Sequence, residues 1–140
     1  MKEVIPVKVK MTSQINQDGQ TERFSFEEDG QLATVGGKHY LRYTEHQQGV
    51  ATPVQFRFDD DRVHLRRAGD RQTHLVFDRK NATSSQYQTA YGPIELRVHT
   101  TQLIVAFDWD QSQGQLELKY ELRSAGTLVG SYHVSLQFHR

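Results

Sequence analysis

The chain has 140 residues and no cysteine, so disulfide bonds and thiolate metal sites are excluded and one domain over residues 1–140 is expected. Lysine plus arginine and aspartate plus glutamate both number 17, a balance that argues against a nucleic-acid-binding protein, where a basic excess is typical. No apolar run approaches the roughly 18 residues of a membrane-spanning helix, and the first residues do not resemble a signal peptide. We therefore expect a cytoplasmic protein that does not contact membranes.

Apolar and polar residues alternate with period two from the start of the chain. Ile5, Val7 and Val9 share one face, with Lys8 and Lys10 opposite, and the same alternation recurs in residues 54–58, 94–99, 116–122 and 132–138. Turn signals such as Asp18-Gly19 and Gly36-Gly37 separate these segments, and no long window has the 3.6-residue period of a helix. The pattern predicts an all-β protein, a single antiparallel meander β-barrel of about 8–10 strands.

One segment departs from the alternation. Residues 103–107 are apolar at every position, and Trp109 follows shortly after. Either a neighbouring strand or loop covers this segment, or Ile104 and Ala106 face outward and form a subunit interface. The second alternative predicts a homodimer.

Three segments carry a resemblance to known proteins. They are residues 40–45 (Tyr-Leu-Arg-Tyr-Thr-Glu), residues 63–69 (Val-His-Leu-Arg-Arg-Ala-Gly) and residues 87–96, which begin with Tyr-Gln-Thr-Ala-Tyr-Gly-Pro. In order and spacing they resemble the YwiB-like bacterial family of unknown function. The resemblance implies a calycin-like barrel, similar to the lipocalins and fatty-acid-binding proteins, and it implies no activity. Calycin relatives often hold small apolar or amphipathic ligands, an analogy that rests on fold alone.

The sequence offers no motif for catalysis, for a cofactor or for a metal. His74, His99 and His133 take the polar positions of their segments and should point to solvent, and Asp59 to Asp61 are typical of a hairpin tip. The arginines of residues 62–71 are interleaved with aspartates, which predicts local charge cancellation. We expect no cofactor, no metal and no nucleic-acid partner.

Alternation places several polar residues inside the predicted barrel. Arg67 shares a face with Val63 and Leu65, and Glu45 follows Leu41 and Tyr43 on their face. If the aromatic face of residues 83–91 is inward, its hydroxyls enter the barrel as well. The interior should otherwise be lined by Phe56, Phe58, Leu75, Phe77, Leu118, Tyr120, Val134 and Leu136. The candidate ligand-binding residues are Arg67, Glu45, Tyr43, Tyr87, Thr89 and Tyr91.

These residues leave three functions open. In the first, Arg67 and the tyrosine hydroxyls bind the head group of a small amphipathic or anionic ligand. In the second, Arg67 and Glu45 satisfy each other in a filled core, and the protein is an interaction module that uses its outer surface or forms a homodimer. In the third, Glu45 or Glu95 is the general acid–base of an enzyme. The sequence favours a protein without catalytic activity.

Overall fold

All strands of the computed structural model belong to one antiparallel sheet, whose order is β6-β5-β4-β3-β2-β1-β10-β9-β8-β7. The structure describes residues 2–47, 49–68 and 72–140, without the side chains of Lys2, Gln47, Gln88 and Thr89. The strands are β1 (Lys2–Gln17), β2 (Gln20–Val35), β3 (Lys38–Gln47), β4 (Val50–Phe58), β5 (Arg62–Ala68), β6 (Gln72–Asp78), β7 (Thr83–Thr89), β8 (Gly92–Asp108), β9 (Gln113–Ser124) and β10 (Thr127–His139).

The predicted antiparallel meander is confirmed. Each strand pairs with the next along the chain except β6 with β7, and β1 pairs with β10, so the first and last strands lie at the middle of the sheet. The described residues contain no helix, and hence none long and apolar enough to cross a membrane. Tight turns join the hairpins where positive φ angles are needed: Asp18 and Gly19 have φ of 50° and 74°, as a two-residue turn matched to the strand twist requires.

A β-bulge at Thr101 explains the segment without alternation. The pairing of β8 with β9 shifts register between Thr100 and Gln102, so the strand gains one residue there. Even-numbered residues of β8 point inward before the bulge, and odd-numbered residues such as Leu103 point inward after it. Ile104 and Ala106 face outward, as the second alternative requires, and Ile104 is 50% exposed.

Side chains, instead of a backbone ladder, join β6 to β7. The hydroxyl of Thr83 donates to the backbone carbonyl of Val76 at 2.5 Å, and the hydroxyl of Ser85 donates to the carbonyl of His74. Carbonyls of an edge strand need a partner when they leave water, and these two hydroxyls supply it. The hydroxyls of Thr83 and Ser85 therefore bind the edge of β6 and do not enter the interior. For these two residues, the expectation that the hydroxyls of this face enter the barrel is wrong. The ten-stranded barrel is nearly closed.

Removing the two hydroxyls should loosen this seam. We expect Thr83→Val with Ser85→Ala to cost about 1 kcal/mol of unfolding free energy per lost hydrogen bond. Backbone amides of β6 and β7 should then exchange hydrogen faster, while those of β1 and β10 keep their rates. Hydrogen–deuterium exchange with mass spectrometry measures this. The matched control is Ser84→Ala, because the Ser84 hydroxyl faces outward and donates only a 3.5 Å hydrogen bond, to Glu95. Unchanged exchange in β6 and β7 would contradict this closure.

The interior holds one cluster of packed apolar side chains. All eight residues predicted to line it are buried, and the largest side chains with almost no exposure include Phe56, Phe77, Leu118 and Leu136. One end is closed by an aromatic cluster, in which the Phe107 ring lies 4.5 Å from Phe58 and 4.6 Å from Trp109. Glu45 and Arg67 lie toward the opposite end of β3 and β5.

Candidate functional site

Arg67 and Glu45 form an ion pair on the inner side of the barrel. Nη2 of Arg67 lies 2.9 Å from Oε2 of Glu45, which confirms that the two side chains share one face. Their exposures differ: the Glu45 side chain is 9% exposed and the Arg67 side chain 42%. The carboxylate is therefore the group that depends on its partner, because the guanidinium retains contact with water.

Two buried tyrosines lie beside this pair. Burial raises the pKa of the Tyr43 hydroxyl, the charge of Glu45 raises it further, and Arg67 opposes both. Burial and the neighbouring Tyr132 raise the pKa of Tyr120, which Arg67 again opposes. Both phenols therefore stay protonated near neutral pH. The Tyr43 hydroxyl donates to the sulfur of Met11 at 3.5 Å, so its donor already has an acceptor.

The remaining predicted site residues are not brought to this pair. Tyr87 is half-buried against the core, and none of its contacts with described residues is a hydrogen bond to Arg67 or Glu45. Tyr91 is fully exposed, which contradicts its predicted place in the interior. The physical reason is that β7 ends at Thr89 and the alternation does not continue through the turn at Ala90 and Tyr91. The Thr89 side chain lies outside the described residues.

Arg67 is not among the lining residues of four grooves found over the described part of the chain, which have volumes of about 990, 860, 590 and 260 Å³. Glu95, the other proposed general acid–base, lies exposed in an outer groove, on the opposite side of the sheet from Glu45. Within the described residues no three His, Asp or Glu side chains converge to hold a metal ion. A ligand site at Arg67 stays a prediction.

Basic side chains gather on the outer face of the sheet instead. Strand register places Arg42 opposite Gln55, Gln55 opposite Arg66, and Arg66 opposite His74. Neighbouring strands are about 4.8 Å apart, so Arg42 and Arg66 are separated by about 10 Å at the backbone. We call this row, Arg42, Gln55, Arg66 and His74, the basic row.

The basic row has little acid to neutralise it. Arg42 donates from Nε to Oε1 of Gln55 at 2.8 Å, and its guanidinium carbon lies 5.5 Å from the centre of the Tyr40 ring. Arg66 makes no ion pair with a described residue. Two carboxylates pair with arginines of this face within the described residues: Asp78, to which Arg62 donates at 2.8 Å, and Asp59, which directly follows β4 and lies 3.0 Å from Nη2 of Arg57. Neither makes an ion pair with Arg42 or Arg66.

The local charge cancellation predicted from sequence is therefore incomplete. Arg62 pairs with Asp78 and Arg67 with Glu45, so two of the four arginines pair with residues outside the interleaved segment. Asp70 and Arg71 lie outside the described residues. The basic row was not predicted from the sequence, although pairing of Gln47 with Val50 sets the register of β3 with β4 and thereby aligns Arg42 with Gln55.

Contacts between side chains link Arg57 and His64 to His74 of the basic row. Nη2 of Arg57 lies 2.9 Å from Nε2 of His64, and Nδ1 of His64 lies 3.3 Å from Nε2 of His74. Oδ2 of Asp59 lies 3.0 Å from Nη2 of Arg57 and 3.3 Å from Nε2 of His64, so this carboxylate is shared by the two basic side chains. Burial is the main cause that lowers the pKa of both histidines, and nearby arginines lower it further, while the charge of Asp59 opposes the shift at His64. Both rings are therefore neutral near pH 7, and the positive charge of the basic row comes from Arg42 and Arg66.

Comparison with known proteins places the chain in a family. The profile of a domain of unknown function, DUF1934, matches residues 9–136. The chain belongs to this family. YwiB of Bacillus subtilis (strain 168), described as an uncharacterised β-barrel protein, is 25% identical over 123 residues, which cover 87% of this chain and 84% of YwiB. The crystal structure of the B. subtilis ywiB protein superposes with a TM-score of 0.81 at 20% identity, over 97% of this chain and 92% of that one.

The similarity to the ywiB crystal structure confirms the fold, and membership of the DUF1934 family assigns no residue a role. The family is one of unknown function, and YwiB is described as an uncharacterised β-barrel protein. Function therefore has to be argued from the residues of this chain. The homodimer through Ile104 and Ala106 stays a prediction. On the neighbouring strand β9 these two residues pair with polar residues, Glu117 and Gln115.

Proposed function

We propose that the protein is a binding module with a filled interior, and that it recognises an anionic partner on the outer face of β3–β6. The observation that carries this proposal is the basic row, in which Arg42 and Arg66 lie in register across three strands without a carboxylate partner among the described residues. Cations held on one face at this spacing repel one another, and an anion relieves that repulsion.

The interior supports this choice over a ligand inside the barrel. The positive charge of Arg67 is already matched by Glu45 at 2.9 Å, and the donor of Tyr43 has an acceptor in Met11. A head group entering there would have to displace Glu45 from Arg67, which would leave a buried carboxylate without its cation. On the outer face, by contrast, the terminal nitrogens of Arg42 donate no hydrogen bond to a described residue.

Retention on phosphocellulose tests the proposal. We expect the double variant Arg42→Gln/Arg66→Gln to elute at clearly lower salt than the wild type, because the interaction is ionic and screened by salt. The matched control is Arg97→Gln/Arg123→Gln. It removes the same net charge from another outer groove, where Glu95 and Glu121 lie beside the arginines. Equal elution of the two double variants would contradict the proposal that the basic row binds the anion.

A further inference from the structure

A large groove of the described surface lies over part of the basic row. It has a volume of about 990 Å³ and is lined by Pro6, Glu28, Asp29, Gly30, Gln31, Arg42, Tyr43, Thr44, His46, Pro53, Val54, Gln55, Arg66 and Ala68. We call it the β2–β5 groove. We propose that it binds a small phosphorylated molecule that also carries hydroxyl groups, of the class of a sugar phosphate. This inference rests on the proposed function and names the ligand class of the same face.

The divergence of two strands gives the groove its shape. The ladder between β2 and β3 ends at the pair Gly30 and Tyr43, beyond which β2 continues with β1 alone. A side chain at residue 30 would meet the carbonyl oxygen of Arg42 and a methyl group of Val9, both at 2.8 Å. Glycine therefore allows the close approach of the strands just before they separate, and the groove opens where they part.

The arginine side of the groove fits a phosphate group. Arg42 and Arg66 both line it, with Gln55 between them in the basic row. The hydrogen bond from Nε of Arg42 to Gln55 holds the guanidinium in place and leaves its terminal nitrogens for an anion. Guanidinium groups bind phosphate through paired, charge-assisted hydrogen bonds.

The other side of the groove fits hydroxyl groups and disfavours a second phosphate. Oε1 of Glu28 lies 3.2 Å from Nδ1 of His46, and the hydroxyl-bearing Thr44 lines the wall between them and Arg42. Carboxylate oxygens accept hydrogen bonds from hydroxyl groups and repel anions. Asp29, which pairs with Lys8, adds a second carboxylate at this border.

A small ligand fits these features better than a nucleic acid does. The volume is near the upper end of the range of about 300–1,000 Å³ that is usual for small-molecule sites. Single-stranded nucleic acids are held by exposed aromatic rings, whereas the Tyr40 ring of this face is covered by the Arg42 guanidinium. The acids at the border would also repel a continuing phosphate backbone.

Titration of the ¹⁵N-labelled protein with ribose 5-phosphate, followed by NMR, tests the inference. We expect saturable shifts at the amides of Gly30, Arg42, Thr44 and Gln55, and tighter binding than that of inorganic phosphate or of ribose. Arg42→Gln or Arg66→Gln should weaken ribose 5-phosphate binding about tenfold or more, as the loss of a charge-assisted hydrogen bond implies. Thr44→Val should weaken it without changing the affinity for inorganic phosphate.

Three results would overturn the inference. They are the absence of saturable shifts with ribose 5-phosphate, equal affinity for inorganic phosphate, and tighter binding of a short single-stranded RNA through the same amides. Arg97→Gln is the control that should leave the titration unchanged. If phosphocellulose retention depends on Arg42 and Arg66 but ribose 5-phosphate does not bind, the ligand class is wrong and the anionic partner stands. If retention does not depend on them, both proposals fail.

Discussion

Replacing Arg67 with methionine should lower the free energy of unfolding by about 3 kcal/mol, the lower end of the range for breaking a buried ion pair. The reason is the Glu45 carboxylate, which is left 9% exposed and without its cation. Glu45→Leu should cost less, about 1 kcal/mol, because the 42% exposed Arg67 side chain can turn to water. The double variant should be more stable than Arg67→Met alone. Urea unfolding of the three variants measures these differences.

The matched control for this cycle is Arg66→Met, the neighbouring arginine on the outer face. It should stay within about 0.5 kcal/mol of the wild type, as surface substitutions usually do. Additive effects of Arg67→Met and Glu45→Leu would mean that the 2.9 Å contact between them contributes nothing to stability.

A methyl group at Gly114 should destabilise the aromatic end of the barrel by about 2 kcal/mol, as overpacking of a core does. Gly114 pairs with Phe107 across β9 and β8, and the phenyl ring covers the glycine. A Cβ atom built on Gly114 would lie 2.0 Å from Cδ1 of Phe107, so the ring would have to leave its contacts with Phe58 and Trp109.

Thermal unfolding of Gly114→Ala, with Trp109 fluorescence as a local signal, checks this expectation. In the background of Phe107→Ala the same glycine substitution should cost much less, because the clashing ring is gone. Gln113→Ala, an exposed neighbour in β9, is the control and should change neither stability nor fluorescence. An equal cost of Gly114→Ala in both backgrounds would show that the ring does not limit the space at residue 114.

Much of the fold could be predicted because period-two alternation is a local signal. Val63 and Leu65 mark the inner face of β5. The prediction that Arg67 shares this face, and so lies on the same side of the sheet as Glu45, is confirmed. Alternation gives the wrong orientation where the local period is broken. A turn ends β7 before Tyr91, and a bulge at Thr101 exchanges the two faces of β8. Neither event changes the composition of the segment, so alternation alone does not reveal it.

The candidate site was harder to predict because it depends on register between strands. The inner pair could be found from two strand faces, but the basic row needs three successive pairings to align Arg42, Gln55 and Arg66. Sequence neighbours were a poor guide to charge, since Arg62 and Arg67 take partners from other strands. The seam between β6 and β7 was also missed, because a hydroxyl that binds an edge carbonyl has the same sequence pattern as one that faces the interior.

Phosphocellulose retention of two double variants, measured side by side, tests most directly whether the protein binds anions outside or inside the barrel. Arg67→Met/Glu45→Leu removes the interior pair without changing net charge, and Arg42→Gln/Arg66→Gln removes the arginines of the basic row. The account predicts that the interior variant, folded at the temperature of the assay, elutes with the wild type, and that the outer variant elutes at lower salt. Loss of retention by the interior variant, with wild-type retention of the outer one, would contradict it and place the anion site at Arg67.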